Sequence, residues 1–435
     1  MANTRITRNI SSGSTTNKFT LSFWIKKSAT HTNDEWLFEN YNSGSARTWV
    51  RFNLDTGSPR LEVSEYTGSY IFRKVTNRVF RDVGAFYHIH IQFDSTQSTD
   101  TNRLKIYING VQETSFAQTN HPALNATSII GNTGNQYLGY SENSNGAYFS
   151  GIMSHAHFCH GYSYGADSFG STDSTTGEWK INTSPSVTYG ALGWFWLKDT
   201  NATTDSSPNS NTFTVGSGTL TKTEDSPSNV FATMNSLDNF YAGSTLSNGN
   251  NTVATVSSNA AYNPSNFAIK TGKWYWEVKL VACSAGNGSE ATIIGMSNQS
   301  PTSSGYGGSI QGSGGFGIRG NGKMWAGGSE ETGWSAIAVG NIAMIAVDFD
   351  NGKFYAGING TWGNSGDPTS GSTGTGAYSF TVGSDVWFMA VNQRETSQTA
   401  TFNLNFGNGY FGTTAITTNS GNGYAGAEGA SKFNY

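Results

Sequence analysis

Charge and potential cross-links are what this chain has least of. Asp, Glu, Lys and Arg make up 12% of its 435 residues, and the formal net charge is −4. No basic block is present to neutralise a run of phosphates, which argues against nucleic acid as a partner. No apolar run approaches the ~20 residues that a membrane-spanning helix needs, so no membrane insertion is expected. The opening segment, Met1-Ala2-Asn3-Thr4-Arg5-Ile6-Thr7-Arg8, lacks the apolar core of a secretory signal, and folding in a cytoplasm is the expectation. The two cysteines, Cys159 and Cys283, fall in different halves of the chain. Two separate inert thiols are expected in place of a disulfide. Proline is scarce, with 8 residues, and long stretches of helical composition are missing.

Aromatic residues, at 13%, and 54 glycines are what the chain has in quantity. The aromatic content excludes a disordered chain. Aromatic and β-branched runs punctuated by Gly, Asn, Ser and Asp predict an all-β protein. Phe19, Leu21, Phe23 and Ile25 alternate with Thr20, Ser22, Trp24 and Lys26, giving one apolar face. Ile89, Ile91 and Phe93 likewise point away from His88, His90 and Gln92. Two stretches 250 positions apart end alike, in Ile108-Asn109-Gly110 and Ile358-Asn359-Gly360. Each follows a run closing on Phe-Asp, at Phe93-Asp94 and Phe349-Asp350. Asn-Gly favours a tight hairpin because both residues tolerate positive φ. The division this predicts is a polar arm at 1–17, a sandwich at 18–197 and a turn-rich linker at 198–237. The linker carries Phe213, Val230 and Phe231 to pack on its neighbours. A second sandwich follows at 238–412, then a Gly-rich tail at 413–435. Only 165–180 has room for one or two helical turns.

At this point residues carry resemblances. Phe19–Ile25, Phe86–Asp94, Leu104–Val111 and Phe149–Ile152 make the first block similar to the laminin-G/concanavalin A-like lectin superfamily. Gly272–Val278, Ile294–Ser297, Gly315–Ile318 and Val347–Gly360 make the second resemble SPRY domains. Both resemblances imply antiparallel jelly-roll or concanavalin-like β-sandwiches in tandem. The join Asp225–Asn235 resembles a linker in tailed-phage structural proteins that carry such modules. It implies a virion protein, and the neutral polar surface suits an adhesive particle assembled inside a cell.

Concanavalin-like sandwiches include glucan hydrolases, which carry paired carboxylates, usually on a Glu-x-Asp-x-x-Glu strand. That motif is missing. The nearest acids, Asp34, Glu35 and Glu39, have the wrong spacing and read as solvated loop acids, so no catalytic residue is assigned. His88, His90, His155 and His157, with Cys159 and His160 close by, sit on strand faces away from the core, where exposed histidines are ordinary. Asp55, Asp94 and Asp100 lie near turns without the ligand density of a calcium site, and Asp94 suits an Asx-type turn. No metal or cofactor is assigned. The remaining chemistry is aromatic, since sugars stack their C–H faces on exposed rings. Trp36, Tyr41, Trp49, Tyr66 and Tyr70 in the first block, and Trp325, Trp334 and Trp362 in the second, read as loop-borne candidates. In the second block the SPRY resemblance points to the loops at 298–314, 326–336 and 361–376, where such domains bind protein segments.

The expected function is that of a non-enzymatic virion protein, a tail fibre or head decoration at the particle surface. Its partners would be other virion proteins and host-surface glycans, and symmetric assembly, as a trimer, is expected. The alternatives are a purely structural capsid or tail module with no glycan ligand, and a polysaccharide hydrolase.

Overall fold

The computed structural model describes residues 4–28, 33–144, 147–198, 204–238, 243–257, 260–286, 291–298, 314–326, 329–395 and 397–416. The chain forms two compact units, one of residues 1–222 with 226–230, the other of 223–225 with 231–435. Both are built from antiparallel sheets, and among the described residues no α-helix occurs. The all-β reading is met. The helical turn allowed at 165–180 is a single 3₁₀ turn, Ala166–Ser168.

In the first unit an eight-stranded sheet runs in the order Phe116–Asn120, Tyr70–Val79, Arg60–Thr67, Ala46–Asn53, Glu35–Ser43, Gly134–Leu138, Arg5–Ile10 and Thr214–Ser217. A six-stranded sheet runs Trp194–Trp196, Gly151–His160, Lys18–Lys27, Tyr87–Asp94, Leu104–Ile108 and Val111–Gln112. Alternation decides which side chains enter the core. Phe19, Leu21, Phe23 and Ile25 pair with Phe93, Ile91, Ile89 and Tyr87, and pack with Phe38, Val50, Phe52, Val63 and Phe72 of the other sheet. Removing such large side chains from water contributes roughly 1.5–3 kcal/mol each.

Two expectations about boundaries need correction. Residues 5–10 are no arm: Ile6 and Ile10 are buried, and the strand pairs on both sides. Its inward Arg8 donates to the Leu192 carbonyl at 2.8 Å and to Asn211 Oδ1 at 2.8 Å. The linker is also shorter than expected. Thr214–Ser217 completes the eight-stranded sheet, and Phe213 is buried against Trp194 and Trp196. Asp205 ties this return segment down, accepting from the Phe195, Ser207 and Asn211 amides. Of the expected tail, residues 417–435 lie outside the described residues.

The second unit repeats the plan. One sheet runs Thr245–Ser247, Thr252–Ala254, Ala400–Asn405, Lys273–Cys283, Ile342–Asp348, Lys353–Ile358 and Thr361–Trp362, with Tyr378–Ser379 added at Lys353–Ile358. The other runs Ala261–Ile269, Trp387–Gln393, Thr292–Ser297, Gly315–Arg319, Met324–Ala326 and Ser329–Glu331. Its core holds Trp276, Val278, Leu280, Ile294, Ile318, Ile345, Val347, Phe354, Val391 and Phe402.

Both Asn-Gly hairpins form as expected, with φ of 50° and 77° at Asn109-Gly110 and of 49° and 86° at Asn359-Gly360. At Gly110 the constraint is double, because an added Cβ would lie 2.3 Å from the Trp179 ring. Gly57, at φ 72°, has nothing within 4 Å. Gly57→Ala is expected to cost the ~1–2 kcal/mol of a left-handed alanine alone. Gly110→Ala should cost clearly more in urea unfolding followed by tryptophan fluorescence. Equal losses would show that the Trp179 contact is loose.

Candidate functional site

Four of the aromatic candidates meet on one surface. The strands Glu35–Ser43, Ala46–Asn53, Arg60–Thr67 and Tyr70–Val79 are neighbours, and their side chains facing away from the core form the cluster. A bulge at Leu37 lets Trp36 and Glu39, three residues apart, share that face: Trp36 sits opposite Arg51 and Glu39 opposite Trp49. Trp36 and Trp49 have ring centroids 6.0 Å apart, Trp49 and Tyr70 6.2 Å, and Tyr66 and Tyr70 5.4 Å. The expectation that these tryptophans lie on exposed loops is wrong. Both belong to strands and are buried, at 1% and 2% exposure, whereas Tyr70 is 40% exposed and Tyr66 half-buried. Tyr41 is half-buried on the same strand as Trp36.

Guanidinium groups cover the tryptophans. Arg47 lies 4.7 Å from the Trp49 ring centre and 6.0 Å from that of Trp36, Arg51 lies 5.3 Å from Trp36, and Arg73 lies 4.9 Å from Tyr70. Such cation–π contacts contribute roughly 0.5–2 kcal/mol each. Arg51 and Arg73 are firmly held. Glu62 accepts from Arg51 Nη2 at 2.8 Å and Arg73 Nε at 2.9 Å, and also from Asn53 and Ser64. Burial works to raise the Glu62 carboxyl, but Arg51, Asn53 and Arg73 outweigh it and hold the group below its usual range. Arg51 also pairs with Asp34.

Arg47 differs. Its nearest acid is Glu39, 4.0 Å away, and its Nε and Nη1 have no hydrogen-bond partner. The indole Nε1 atoms of Trp36 and Trp49 have none either. Burial raises the Glu39 carboxyl to about 7, against the Glu142 amide and Arg47, so at neutral pH it only partly neutralises Arg47.

The acids expected as solvated loop groups are thus counter-ions, Glu35 and Glu39 buried on a strand and Asp34 half-buried just before it. Glu35 pairs with Lys27, Asp34 with Arg51, and Glu39 accepts from the Glu142 amide at 2.7 Å. Glu62, the other acid of the patch, accepts hydrogen bonds at both oxygens and is buried. It is held as a structural anion, unlike the free nucleophile or base of a glycosidase.

In the second unit the candidates do not form one platform. Trp362 meets Tyr275 and Tyr355 in edge-to-face contacts, with ring centroids 6.2 and 6.4 Å away. Trp334 lies against Gly363 beside it. Trp325 belongs to the other sheet, under Arg319 at 5.7 Å. All three are half-buried. Of the loops expected to bind, 299–313 and 327–328 lie outside the described residues.

The histidines are also placed differently from expectation. They do lie on the face away from the main core, but that face is covered by residues 161–198 with Tyr164, Phe169, Trp179 and Tyr189. His88 accepts from Trp179 Nε1 at Nδ1, 3.0 Å, so its neutral ring donates from Nε2 to Ser22 Oγ, 2.8 Å. His90 donates from Nε2 to the Tyr164 carbonyl at 3.0 Å, and His157 Nδ1 meets the Tyr189 hydroxyl at 3.0 Å. His157 stacks on Phe195 at 3.9 Å, and His155, at φ 46° in a bulge, lies 5.8 Å from the same ring. His160 is half-buried and Cys159 buried. Among the described residues no group of three or more His, Cys, Asp or Glu is arranged to hold a metal. Both Asp94 oxygens serve the turn, accepting from Thr96 and Gln97; the Asp55 carboxylate accepts from the Asn53 side-chain amide, and Asp100 accepts from the Thr101 amide in its own turn.

Burial pulls His88 and His157 well below the ordinary histidine value and His90 to about 4. The folded state therefore binds fewer protons than the unfolded state between pH 6.5 and about 4, so stability falls as pH falls through that window. Glu39 and Glu65, raised by burial to about 7, work in the opposite sense, favouring the fold as pH drops. The histidine part is isolated by difference. His90→Leu should gain ~3 kcal/mol on wild type between pH 7 and 4 in urea titrations. Parallel pH profiles for the two proteins would show that His90 is charged in the fold.

No curated protein matches the chain. Similar solved structures include the SPRY domain of human HERC1, 15% identical, covering 39% of this chain and 96% of that one at a TM-score of 0.32. The heptameric SAP-like pentraxin of Limulus polyphemus is 16% identical, covering 36% and 70% at 0.26. A putative carbohydrate binding protein of Bacteroides ovatus is 15% identical, covering 53% and 62% at 0.35. The family match covers the first unit only: residues 3–161 match the concanavalin A-like lectin/glucanases superfamily, and the chain carries an N-terminal concanavalin A-like lectin domain.

Proposed function

We propose that this chain is a non-enzymatic binding protein whose first unit takes a glycan on the surface formed by Trp36, Trp49, Tyr66 and Tyr70. The observation that carries the reading is their meeting on the outward face of one sheet, beside unpartnered Arg47, Trp36 and Trp49 N–H groups. Rings supply stacking faces and the N–H groups supply donors for hydroxyls. The match of this unit to lectin-type sandwiches supports the same reading, and the carboxylates of the patch serve as counter-ions, not as an acid–base pair.

The setting proposed is the surface of a tailed-phage particle, as a tail fibre or head decoration assembled in the host cytoplasm. Other virion proteins and, for a fibre, two further copies of the chain would be its neighbours. The resemblance of Asp225–Asn235 to a phage linker supports this setting. A purely structural role draws its support from the burial of Trp36 and Trp49 beneath arginines.

On an array of bacterial surface glycans the protein should bind a defined subset. Tyr70→Ala should weaken binding about tenfold, the ~1–2 kcal/mol of an aromatic contact residue. No oligosaccharide should be released from the bound polysaccharide. An array without hits, with the chain found in particles by immunoelectron microscopy, would leave the structural role. Oligosaccharide release would overturn the non-enzymatic reading.

A further inference from the structure

The three arginines of the aromatic patch are not equivalent. Arg51 and Arg73 share Glu62, and Arg51 holds Asp34 as well. Arg47 rests on two indole rings, with Glu39 at 4.0 Å, and its Nε and Nη1 donate to nothing. Two more unpartnered donors, Trp36 Nε1 and Trp49 Nε1, belong to the rings it covers. All four are buried N–H groups, and the nearest acid, Glu39, is 4.0 Å from Arg47. A buried donor without a partner is costly, and a ligand that brings acceptors relieves that cost. The side chain that must move is the one with least to lose. Arg47 leaves no close hydrogen bond behind, and its departure uncovers the ring face of Trp49, while Arg51 stays over Trp36.

We propose that this patch selects an acidic oligosaccharide, carboxylated or sulfated, with Arg47 swinging off the tryptophans to pair the anion through its planar fork. The proposal rests on the glycan-binding reading above and names the ligand class. A guanidinium matches an anionic pair of oxygens bidentately, which an uncharged hydroxyl does not offer. The vacated Trp49 indole then stacks on the sugar ring beside Tyr70, already 40% exposed. Arg47 acts as a specificity-determining residue, and Arg51 and Arg73 hold the platform.

Isothermal titration with three oligosaccharides of equal length tests this: an oligogalacturonate, a sulfated galactan fragment and its neutral galactan counterpart. At low salt the carboxylated or the sulfated sugar should bind at least tenfold tighter than the neutral one, and the difference should shrink in 0.5 M NaCl as charges are screened. Which of the two binds identifies the anion. Arg47→Gln should abolish the preference, bringing the acidic sugars down to the affinity that the same variant shows for the neutral one. Arg47→Lys, which keeps the charge and loses the fork, should retain only part of it. Arg81→Gln, at an exposed arginine hydrogen-bonded to Ser58, should change nothing. Binding of the preferred acidic sugar should also shift tryptophan fluorescence more in wild type than in Arg47→Gln, where Trp49 is already uncovered. Thermal unfolding of each variant confirms that it is folded. Equal binding of all three sugars, or an acidic preference that survives Arg47→Gln, overturns the proposal and leaves glycan binding standing. Binding of none of the three overturns it as well, and the glycan array then decides the wider reading.

Discussion

Burial of polar groups on the second face of each sheet is the constraint that shapes the first unit. A sandwich uses one face of each sheet for its core, and water normally solvates the other. Here much of that other face is covered too, so its polar side chains must be paired or neutral. The pairing is visible residue by residue. Glu62 sits between Arg51 and Arg73 on the outward face, and the core side holds to the same rule, where Lys27 meets Glu35 beside Phe52 and Glu65, in line with Val63, accepts from Thr48 and Ser128. The histidines answer the same constraint by staying neutral. A chain that is 12% charged has therefore placed much of its charge inside this unit.

The core face was legible wherever alternation runs unbroken. Phe19–Ile25 and Ile89–Phe93 pair residue for residue without a bulge, so period two names the inward side chains correctly. Legibility ended at bulges and at long-range polar contacts. The register shift between Ser154 and His157 slips one extra residue into the Gly151–His160 strand, so that His155 and Ala156 together oppose Phe23. The Arg5–Ile10 strand reads as polar because Arg8 takes an inward position. Its partners, Gln136 and Asn211, lie 128 and 203 residues away, where no local pattern shows them. Phe213 hid in the same way, a single apolar residue in a turn-rich stretch that closes on Trp194 and Trp196.

The candidate site was legible as residue types and not as an arrangement. Trp36, Trp49, Tyr66 and Tyr70 were identifiable as rings near polar neighbours. Their meeting depends on the register of four adjacent strands and the bulge at Leu37. Their burial depends on arginines whose position no spacing rule reveals. The signal that was present and unread is the alternation of the next strand, where Arg47, Trp49 and Arg51 fall on one face. In the second unit the same reasoning about ring types fails, because Trp325 and Trp362 belong to different sheets.

The two covered faces of the first unit differ in what it takes to open them. Over the histidines lies a length of backbone, fixed by the Tyr164 carbonyl on His90, the Trp179 indole on His88 and the Tyr189 hydroxyl on His157. Lifting it breaks several hydrogen bonds and exposes Phe169, Tyr189 and Phe195 to water at once. Over Trp49 lies one side chain. Rotating Arg47 leaves the backbone in place, and a long side chain regains up to ~2 kcal/mol of rotamer freedom when released. It leaves behind a ring contact of roughly 0.5–2 kcal/mol and an ion pair at 4.0 Å. These are terms that an incoming anion and sugar face can replace. Coverage by a segment makes the histidine face part of the fold, and coverage by a side chain keeps the tryptophan face available for recognition.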